Sequence, residues 1–189
     1  MNIGIDIDDT LVDSSKGAVK NIQKYDATGD VVKYIEEIMR GEIPNENIKK
    51  FLNDYSLPIL RNAKVKKSAA DVIRRLRNGG HKIIFITSRT DDACKGLQDM
   101  TLEYLKKNEI EYDKILFNSL DKAKVCMENE IDVMVDDSIK HCEAVENIGI
   151  KAFLFNSLVN IGKKTTAKRI NTWKKLEKEI ENIELKRNA

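Results

Sequence analysis

Five short apolar runs, most of them separated by helical patterns, constrain the fold of this chain more than any other feature. They cover residues 3–7, 82–86, 114–117, 132–135 and 151–155, and each ends at a polar or acidic side chain. Runs of this length, rich in β-branched and aromatic residues, are typical of buried strands. Strands that alternate with helices form a parallel sheet with right-handed crossovers. The sequence therefore predicts an α/β fold with a doubly wound parallel sheet.

A helical pattern precedes each of the last four runs. We predict helices at about residues 66–78, 92–107, 122–129 and 139–147. Gly79 and Gly80 follow the first of these helices and Gly149 follows the last, and glycine is a common helix stop. A further helix is predicted at about residues 165–186. Its stripe of Ile170, Trp173, Leu176, Ile180 and Ile183 is typical of a face that packs on the core.

The connection after the first strand is unusually long. About fifty residues lie between Asp13 and Lys66, with helical patterns at about 15–27, 31–39 and 45–55 and no convincing strand. Gly29, Gly41, Pro44 and Pro58 punctuate this stretch. Such a connection is an inserted element and not a bare loop. We predict that residues 14–65 form a small helical cap over the end of the first strand, and that residues 1–13 and 66–189 form the core.

Composition fits a globular protein in a reducing compartment. The 189 residues are 41% hydrophobic and 34% charged, enough for one α/β domain with a modest insertion. No apolar run approaches membrane-spanning length, and no leader pattern precedes Asp6. Cys94, Cys126 and Cys142 show no Cys-x-x-Cys spacing, which favours reduced thiols over a zinc site or a disulfide framework. We therefore expect a cytoplasmic protein with no membrane contact.

A basic end offsets a slightly acidic remainder. Residues 163–189 hold nine basic and four acidic side chains, although the whole chain has a net charge of only +2. Such an end could approach nucleic acid or an acidic partner. Because glutamates alternate with the lysines, we interpret it as the solvated face of a helix.

Polar side chains follow four of the predicted strands. They are Asp6 and Asp8 after the first; Thr87, Ser88 and Arg89 after the second; Lys122 or Lys124 after the third; and Asp136 and Asp137 after the fourth. The carboxyl ends of parallel strands meet at one edge, where ligands bind. Carboxylates suit a hard cation such as Mg²⁺, which typically also binds substrate phosphate. The pair Asp6-x-Asp8 alone would indicate an acidic turn. The prediction of a Mg²⁺ and phosphate site therefore depends on polar residues following all four strands.

This order of motifs resembles a known family. Asp6-x-Asp8-x-Thr10, Ile86-Thr87-Ser88, a lysine and Val135-Asp136-Asp137 look like the four motifs of the haloacid-dehalogenase-like (HAD) hydrolases, over roughly residues 1–155. The resemblance implies a Rossmann-like core, bound Mg²⁺ and phosphoryl transfer through an aspartyl-phosphate. A cap inserted after the first motif is similar to the C1-type caps of that family, which favour small-molecule phosphates.

The resemblance also implies roles for single residues. Asp6 would be the nucleophile and a metal ligand, and Asp8 the general acid and base, with its backbone carbonyl on the metal. Thr87 and amides near Ser88 would hold the phosphoryl group at a helix start.

Three further assignments follow from the same motifs. Lys122 is preferred to Lys124 as the lysine. Asp137 would bind Mg²⁺ directly and Asp136 through water.

Several neighbouring polar residues are weaker candidates. Arg89 could contact substrate or pair with Asp91 or Asp92. Asp9 stands where many relatives have glycine, and Asp13 is expected to be a turn or cap residue. His81 and His141 have no ligand partner at a suitable spacing and are interpreted as structural.

The substrate is predicted from a narrower resemblance. Residues 86–113 are similar to bacterial nucleotidases related to the cytosolic 5′(3′)-deoxyribonucleotidases, although Asp9-Thr10 departs from their pattern. This implies a 5′-nucleotidase acting on (deoxy)nucleoside monophosphates. A phosphatase of a sugar phosphate or phosphoglycolate is one alternative, and a non-catalytic module that binds nucleic acid or a partner is another.

Aromatic side chains of the predicted cap bear on the choice of substrate. Tyr25, Tyr34, Phe51 and Tyr55 could stack a base, although their helical spacing favours packing.

Overall fold

The chain folds around a six-stranded parallel sheet. The computed structural model describes residues 1–22, 24–27, 29–39, 45–92 and 94–187. The strands are β1 (Asn2–Ile5), β2 (Lys82–Ile86), β3 (Lys114–Leu116), β4 (Val133–Asp136), β5 (Lys151–Phe155) and β6 (Lys168–Ile170). Their order across the sheet is β3-β2-β1-β4-β5-β6, and every pair is parallel. This topology confirms the predicted doubly wound, Rossmann-like fold.

The described helices either cover the two faces of the sheet or form the insertion. They are α1 (Ser14–Ile22), α2 (Val31–Met39), α3 (Glu46–Arg61), α4 (Ala69–Asn78), α5 (Leu97–Lys107), α6 (Lys122–Glu128), α7 (Ile139–Asn147) and α8 (Trp173–Arg187). Alternate residues of each strand point to opposite faces. Ile83 and Phe85 of β2 therefore join the core under α4, α5 and α8, whereas Ile84 and Ile86 pack against α6 and α7.

The C-terminal region differs from the sequence prediction. The predicted helix at 165–186 is in fact a short strand, β6, followed by α8, because Ile170 pairs with Phe155 at the edge of the sheet. Trp173, Leu176 and Ile180 are buried in the core, which confirms the interpretation of that face. No helix in the described ranges is long and apolar enough to cross a membrane.

Other predicted helices also have different bounds, and the one predicted at about residues 15–27 ends at Ile22. Helix α5 begins at Leu97 and not at residue 92, since the chain turns through Gly96 at a positive φ just before it. Helix α3 continues through Pro58 to Arg61. Gly41 and Pro44, predicted to break the insertion, lie outside the described residues.

The insertion has its own apolar cluster. Helices α1, α2 and α3 bury Ile22, Ile35, Ile48 and Phe51, and Val159 from the β5–β6 connection packs into the same cluster.

The two chain segments that join the insertion to the sheet run side by side. Val12 pairs with Val65, and the Asp13 amide donates to the Lys64 carbonyl at 2.9 Å. Asp13 also forms ion pairs with Lys16 and Lys66, each at 2.7 Å. The insertion therefore leaves and rejoins the core at one point.

Candidate active site

Five polar side chains are buried at the carboxyl edge of the sheet. Asp6 directly follows the central strand β1, and its amide donates to the Val135 carbonyl of β4 at 2.9 Å. Thr87 follows β2, Asp136 and Asp137 lie at the end of β4, and Lys122 begins α6. The five are Asp6, Thr87, Lys122, Asp136 and Asp137, and each is at most 6% exposed. The edge therefore brings together residues that are more than a hundred positions apart.

Three of these side chains form a crowded acidic cluster. Carboxylate oxygens of Asp6, Asp136 and Asp137 lie within 4.8 Å of one another. Burial raises the pKa of Asp137 well above its usual range, and the charges of Asp136 and Asp6 raise it further. Burial likewise raises the pKa of Asp6 to about 7, although the Lys122 ammonium opposes this effect. Carboxylates held this close are stabilised by a bound cation.

One oxygen of this cluster lacks a protein partner. Asp137 Oδ2 is buried and accepts no hydrogen bond from any residue in the described ranges. A buried acceptor without a partner is unfavourable unless a ligand occupies it. The donor set, made only of carboxylate oxygens, fits a hard divalent cation such as Mg²⁺.

Lys122 balances part of the negative charge. Its Nζ lies 2.6 Å from Asp6 Oδ1 and 3.4 Å from Asp136 Oδ2, and it donates to the Ile86 carbonyl. Burial alone would lower the pKa of Lys122, but the two carboxylates raise it above its ordinary value. Lys124 is exposed and lies 3.8 Å from Glu128. Of the two lysines proposed from the sequence, Lys122 is the one at the site.

Asp136 is anchored on both oxygens. Its Oδ1 accepts from the Ser138 amide at 2.8 Å, and its Oδ2 lies 3.3 Å from His141 Nδ1. Burial opposes ionisation, yet Lys122 and His141 outweigh it and lower the pKa of Asp136. Sequence reasoning missed this contact of His141. The sequence signal for this contact was that His141 lies in the first turn of α7, a helix that Ser138 caps two residues after Asp136.

Asp8 is held by Arg89. The guanidinium Nε donates to Asp8 Oδ2 at 2.9 Å and Nη2 donates to Oδ1 at 2.8 Å. Burial opposes ionisation of Asp8, but the Arg89 charge prevails and lowers its pKa. The sequence suggested Asp91 or Asp92 as ion-pair partners of Arg89, whereas the structure pairs it with Asp8.

Thr87 and Ser88 follow β2 in an extended loop. Thr87 is fully buried, and its Oγ1 accepts from the Arg89 amide at 3.2 Å. Ser88 is half-buried. The sequence predicted that Ser88 and its amide lie at a helix start. That prediction is wrong, because α5 begins only at Leu97 and Ser88 does not cap a helix.

Comparison with solved structures supports one fold. A haloacid dehalogenase-like hydrolase from Streptococcus pneumoniae matches at a TM-score of 0.65 and 15% identity, over 94% of this chain and 97% of that one. A HAD family hydrolase from Deinococcus radiodurans with bound phosphate and sodium matches at 0.64 and 15%, over 95% and 94%. A predicted phosphoglycolate phosphatase from Haemophilus somnus matches at 0.64 and 14%, over 94% and 96%.

This chain has the HAD-like hydrolase fold. No family model matches the sequence, and no curated protein does. The HAD-like fold is therefore shown by comparison of tertiary structures, and it agrees with the motifs at the strand ends.

Asp9 and Asp13, two further acids near the first strand, are held by local contacts. Asp9 has a φ of 54°, a left-handed conformation that glycine adopts more readily. Its carboxylate accepts from the Ser15 amide at 3.1 Å and from Ser15 Oγ at 2.9 Å, near the start of α1. Asp13 is engaged by Lys16 and Lys66. Both observations agree with the lower rank that the sequence gave these two acids.

The aromatic rings of the insertion pack on one another. The centroids of Tyr25, Phe51 and Tyr55 are 5.6 to 6.0 Å apart in pairs. The Tyr34 hydroxyl donates to Asp26 Oδ2 at 2.7 Å. This arrangement agrees with the packing interpretation of these side chains.

Proposed function

We propose that the protein is a Mg²⁺-dependent phosphomonoester hydrolase that acts through an aspartyl-phosphate on Asp6. The observation that supports this most is the buried carboxylate of Asp6, which contacts the Lys122 ammonium and lies close to the carboxylates of Asp136 and Asp137. Such an arrangement provides a nucleophile, a counter-charge and cation ligands at one point. The shared fold with HAD-like hydrolases supports the same reaction class.

Mg²⁺ would be held by Asp6 and Asp137, by the backbone carbonyl of Asp8, and by Asp136 through water. Asp137 suits direct ligation because its Oδ2 has no partner among the described residues, whereas both oxygens of Asp136 are engaged. When bound, the ion would neutralise charge on the phosphoryl oxygens.

The reaction would proceed in two displacements. In the first, an oxygen of Asp6 attacks phosphorus, the ester bond breaks, and Asp8 passes a proton to the departing alcohol. Because Arg89 favours ionised Asp8, that proton would come from the phosphate monoester, whose second ionisation lies near pH 6. In the second, Asp8 takes a proton from water, which attacks the aspartyl-phosphate and releases inorganic phosphate. Thr87 and Ser88 would hold the phosphoryl oxygens.

We propose (deoxy)nucleoside monophosphates as substrates, with residues 14–65 acting as a cap over the site. This assignment depends on the resemblance of residues 86–113 to nucleotidases. A sugar phosphate or phosphoglycolate is the second candidate, since one structure with this fold is described as a phosphoglycolate phosphatase. A cytoplasmic location is proposed with it, because all three cysteines are free thiols.

The alternative of a nucleic-acid or partner-binding module is not carried forward. It depended on the basic side chains of the last helix, α8, whose apolar stripe is buried in the core. The lysines on its other side are exposed and alternate with glutamates, as on an ordinary solvated face.

A hydrolysis screen with Mg²⁺ tests the proposal. The panel contains p-nitrophenyl phosphate, nucleoside monophosphates, sugar phosphates and phosphoglycolate, and phosphate release is measured for wild type and Asp6→Asn. We expect turnover by wild type, loss of at least about 10³-fold in Asp6→Asn, and loss on chelation of the metal. Equal rates for the two proteins would refute the mechanism. The preferred ester in the panel distinguishes the two substrate classes.

A further inference from the structure

We propose that Arg89, supported by Thr101, is a positioning residue that fixes the carboxylate of Asp8 for proton transfer. This inference rests on the proposed function, since it concerns the residue expected to act as general acid and base. It gives Arg89 a role different from substrate binding.

Each of the three guanidinium nitrogens of Arg89 donates a hydrogen bond within the protein. Nε and Nη2 form a two-pronged pair with Asp8, and Nη1 donates to Thr101 Oγ1 at 2.9 Å. The Arg89 side chain is 4% exposed, whereas that of Asp8 is 28% exposed. A substrate can therefore reach the carboxylate of Asp8 more readily than the buried guanidinium of Arg89.

Thr101 determines the direction in which Arg89 points. It is fully buried in the second turn of α5, and its hydroxyl donates to the Leu97 carbonyl at 2.7 Å. Because a hydroxyl has one proton, this bond leaves the oxygen of Thr101 as an acceptor facing Arg89. At the other end, the Arg89 amide donates to Thr87 Oγ1. Arg89 is thus held at both its backbone and its side chain.

Asp8 needs such support because its own position in the chain does not fix the orientation of its carboxylate. It lies beyond the end of β1, is partly exposed, and precedes the left-handed Asp9. A planar, two-pronged pair with a rigid arginine restricts the carboxylate to one orientation. General acid–base catalysis depends on that orientation, and a shift of about 1 Å can cost about 10²-fold in rate.

The dependence of kcat/KM on the acidity of the leaving alcohol tests this role. A variant that only destabilises the fold would lower kcat/KM equally for all esters. Phenyl phosphate and p-nitrophenyl phosphate are similar in size, but p-nitrophenol is the more acidic alcohol and needs less help from a general acid. We expect Thr101→Val and Arg89→Lys to lower kcat/KM about tenfold more for phenyl phosphate than for p-nitrophenyl phosphate. The Ki of inorganic phosphate should stay unchanged, because Arg89 does not bind the phosphoryl group.

Tyr104→Phe is the matched control. Tyr104 lies one turn further along α5, and its hydroxyl donates to the Ala63 carbonyl instead of to Arg89. The change removes one hydroxyl bond from the same helix, so we expect the ratio between the two substrates to remain that of wild type. If Arg89→Lys does not fold, Thr101→Val decides alone, since valine keeps the shape of threonine.

The Asp8→Ala background shows whether the effect passes through Asp8. There, Thr101→Val should produce no further difference between the two esters. Equal losses for both esters in the single variants, a difference that persists without Asp8, or a raised Ki for phosphate would each overturn the inference. Loss of turnover in Asp6→Asn is independent of these results, so failure of the proposed function is distinguished from failure of this inference.

Discussion

At the scale of single residues, one buried lysine forms ion pairs with two buried carboxylates. Lys122 Nζ contacts both Asp6 and Asp136, and the three side chains are almost completely removed from solvent. Removing one partner of a buried ion pair leaves an uncompensated charge, which is far more costly than losing an exposed pair. The chain offers a direct comparison, because Lys124 lies on the same helix and is exposed.

We expect Lys122→Met to lower the free energy of unfolding of the metal-free protein by about 3–5 kcal/mol at pH 8. Lys124→Met should change it by no more than about 0.5 kcal/mol, as is usual for exposed positions. Urea unfolding of both variants beside wild type, with chelator present, measures the difference. Similar losses in the two variants would show that the Lys122 contacts contribute little to stability.

At the scale of elements, the helical insertion contacts the rest of the chain through its connecting segments and through packed side chains. Its two connecting segments pair through Val12 and Val65, and Val159 from the β5–β6 connection packs into its cluster. The fully buried residues on the two faces of the sheet all lie outside residues 14–65. The main apolar core is thus built without the insertion, apart from partly buried side chains such as Leu57 and Leu60 that pack against it.

We expect a variant with residues 15–62 replaced by about four Gly and Ser residues to retain a folded sheet. The ends to be joined are adjacent, since the Asp13 amide lies 2.9 Å from the Lys64 carbonyl. Trp173 is the only tryptophan and lies in the core, so its fluorescence reports on the core alone. A cooperative fluorescence transition at a lower Tm is the expected result. A non-cooperative transition would contradict the division into core and cap.

The whole molecule should respond to pH through its acidic cluster. Asp6 and Asp9 have pKa values raised by burial to about 7 and about 6, and burial also raises the pKa of Asp137 well above its ordinary value of 3.8. The folded, metal-free protein therefore binds these protons more tightly than the unfolded chain. Stability from these groups is fully present below about pH 4 and is lost as the pH rises through 6 to 7.

Mg²⁺ should reverse that loss, because it binds the ionised carboxylates. We expect the rise in Tm on adding Mg²⁺ at about 100 times its Kd to be about 5–10 °C at pH 8, and much smaller at pH 5. Thermal unfolding with and without Mg²⁺ at both pH values measures this. In Asp137→Asn the increment at pH 8 should shrink. An increment independent of pH would argue against a carboxylate site.

Local patterns were sufficient for most of the fold. The apolar runs of β1, β2, β4 and β5 and the stripe of α8 are visible in the sequence, because hydrophobic periodicity depends only on near neighbours. The three-residue β6 has no such pattern, since it is a strand only by pairing with β5. The start of α5 was missed for a related reason, as the helical pattern continues into residues 94–96, where the chain turns before Leu97.

By itself, the sequence determined the order of elements as far as β5, because that order follows from periods of two and 3.6 residues along the chain. It also determined which acids, hydroxyls and lysines follow the strands. Only the tertiary structure decided which of Lys122 and Lys124 enters the site, since residues two apart on a helix face opposite ways. It alone paired Arg89 with Asp8 and His141 with Asp136. Contacts of this kind depend on how strands and helices pack in space, a property that no local pattern records.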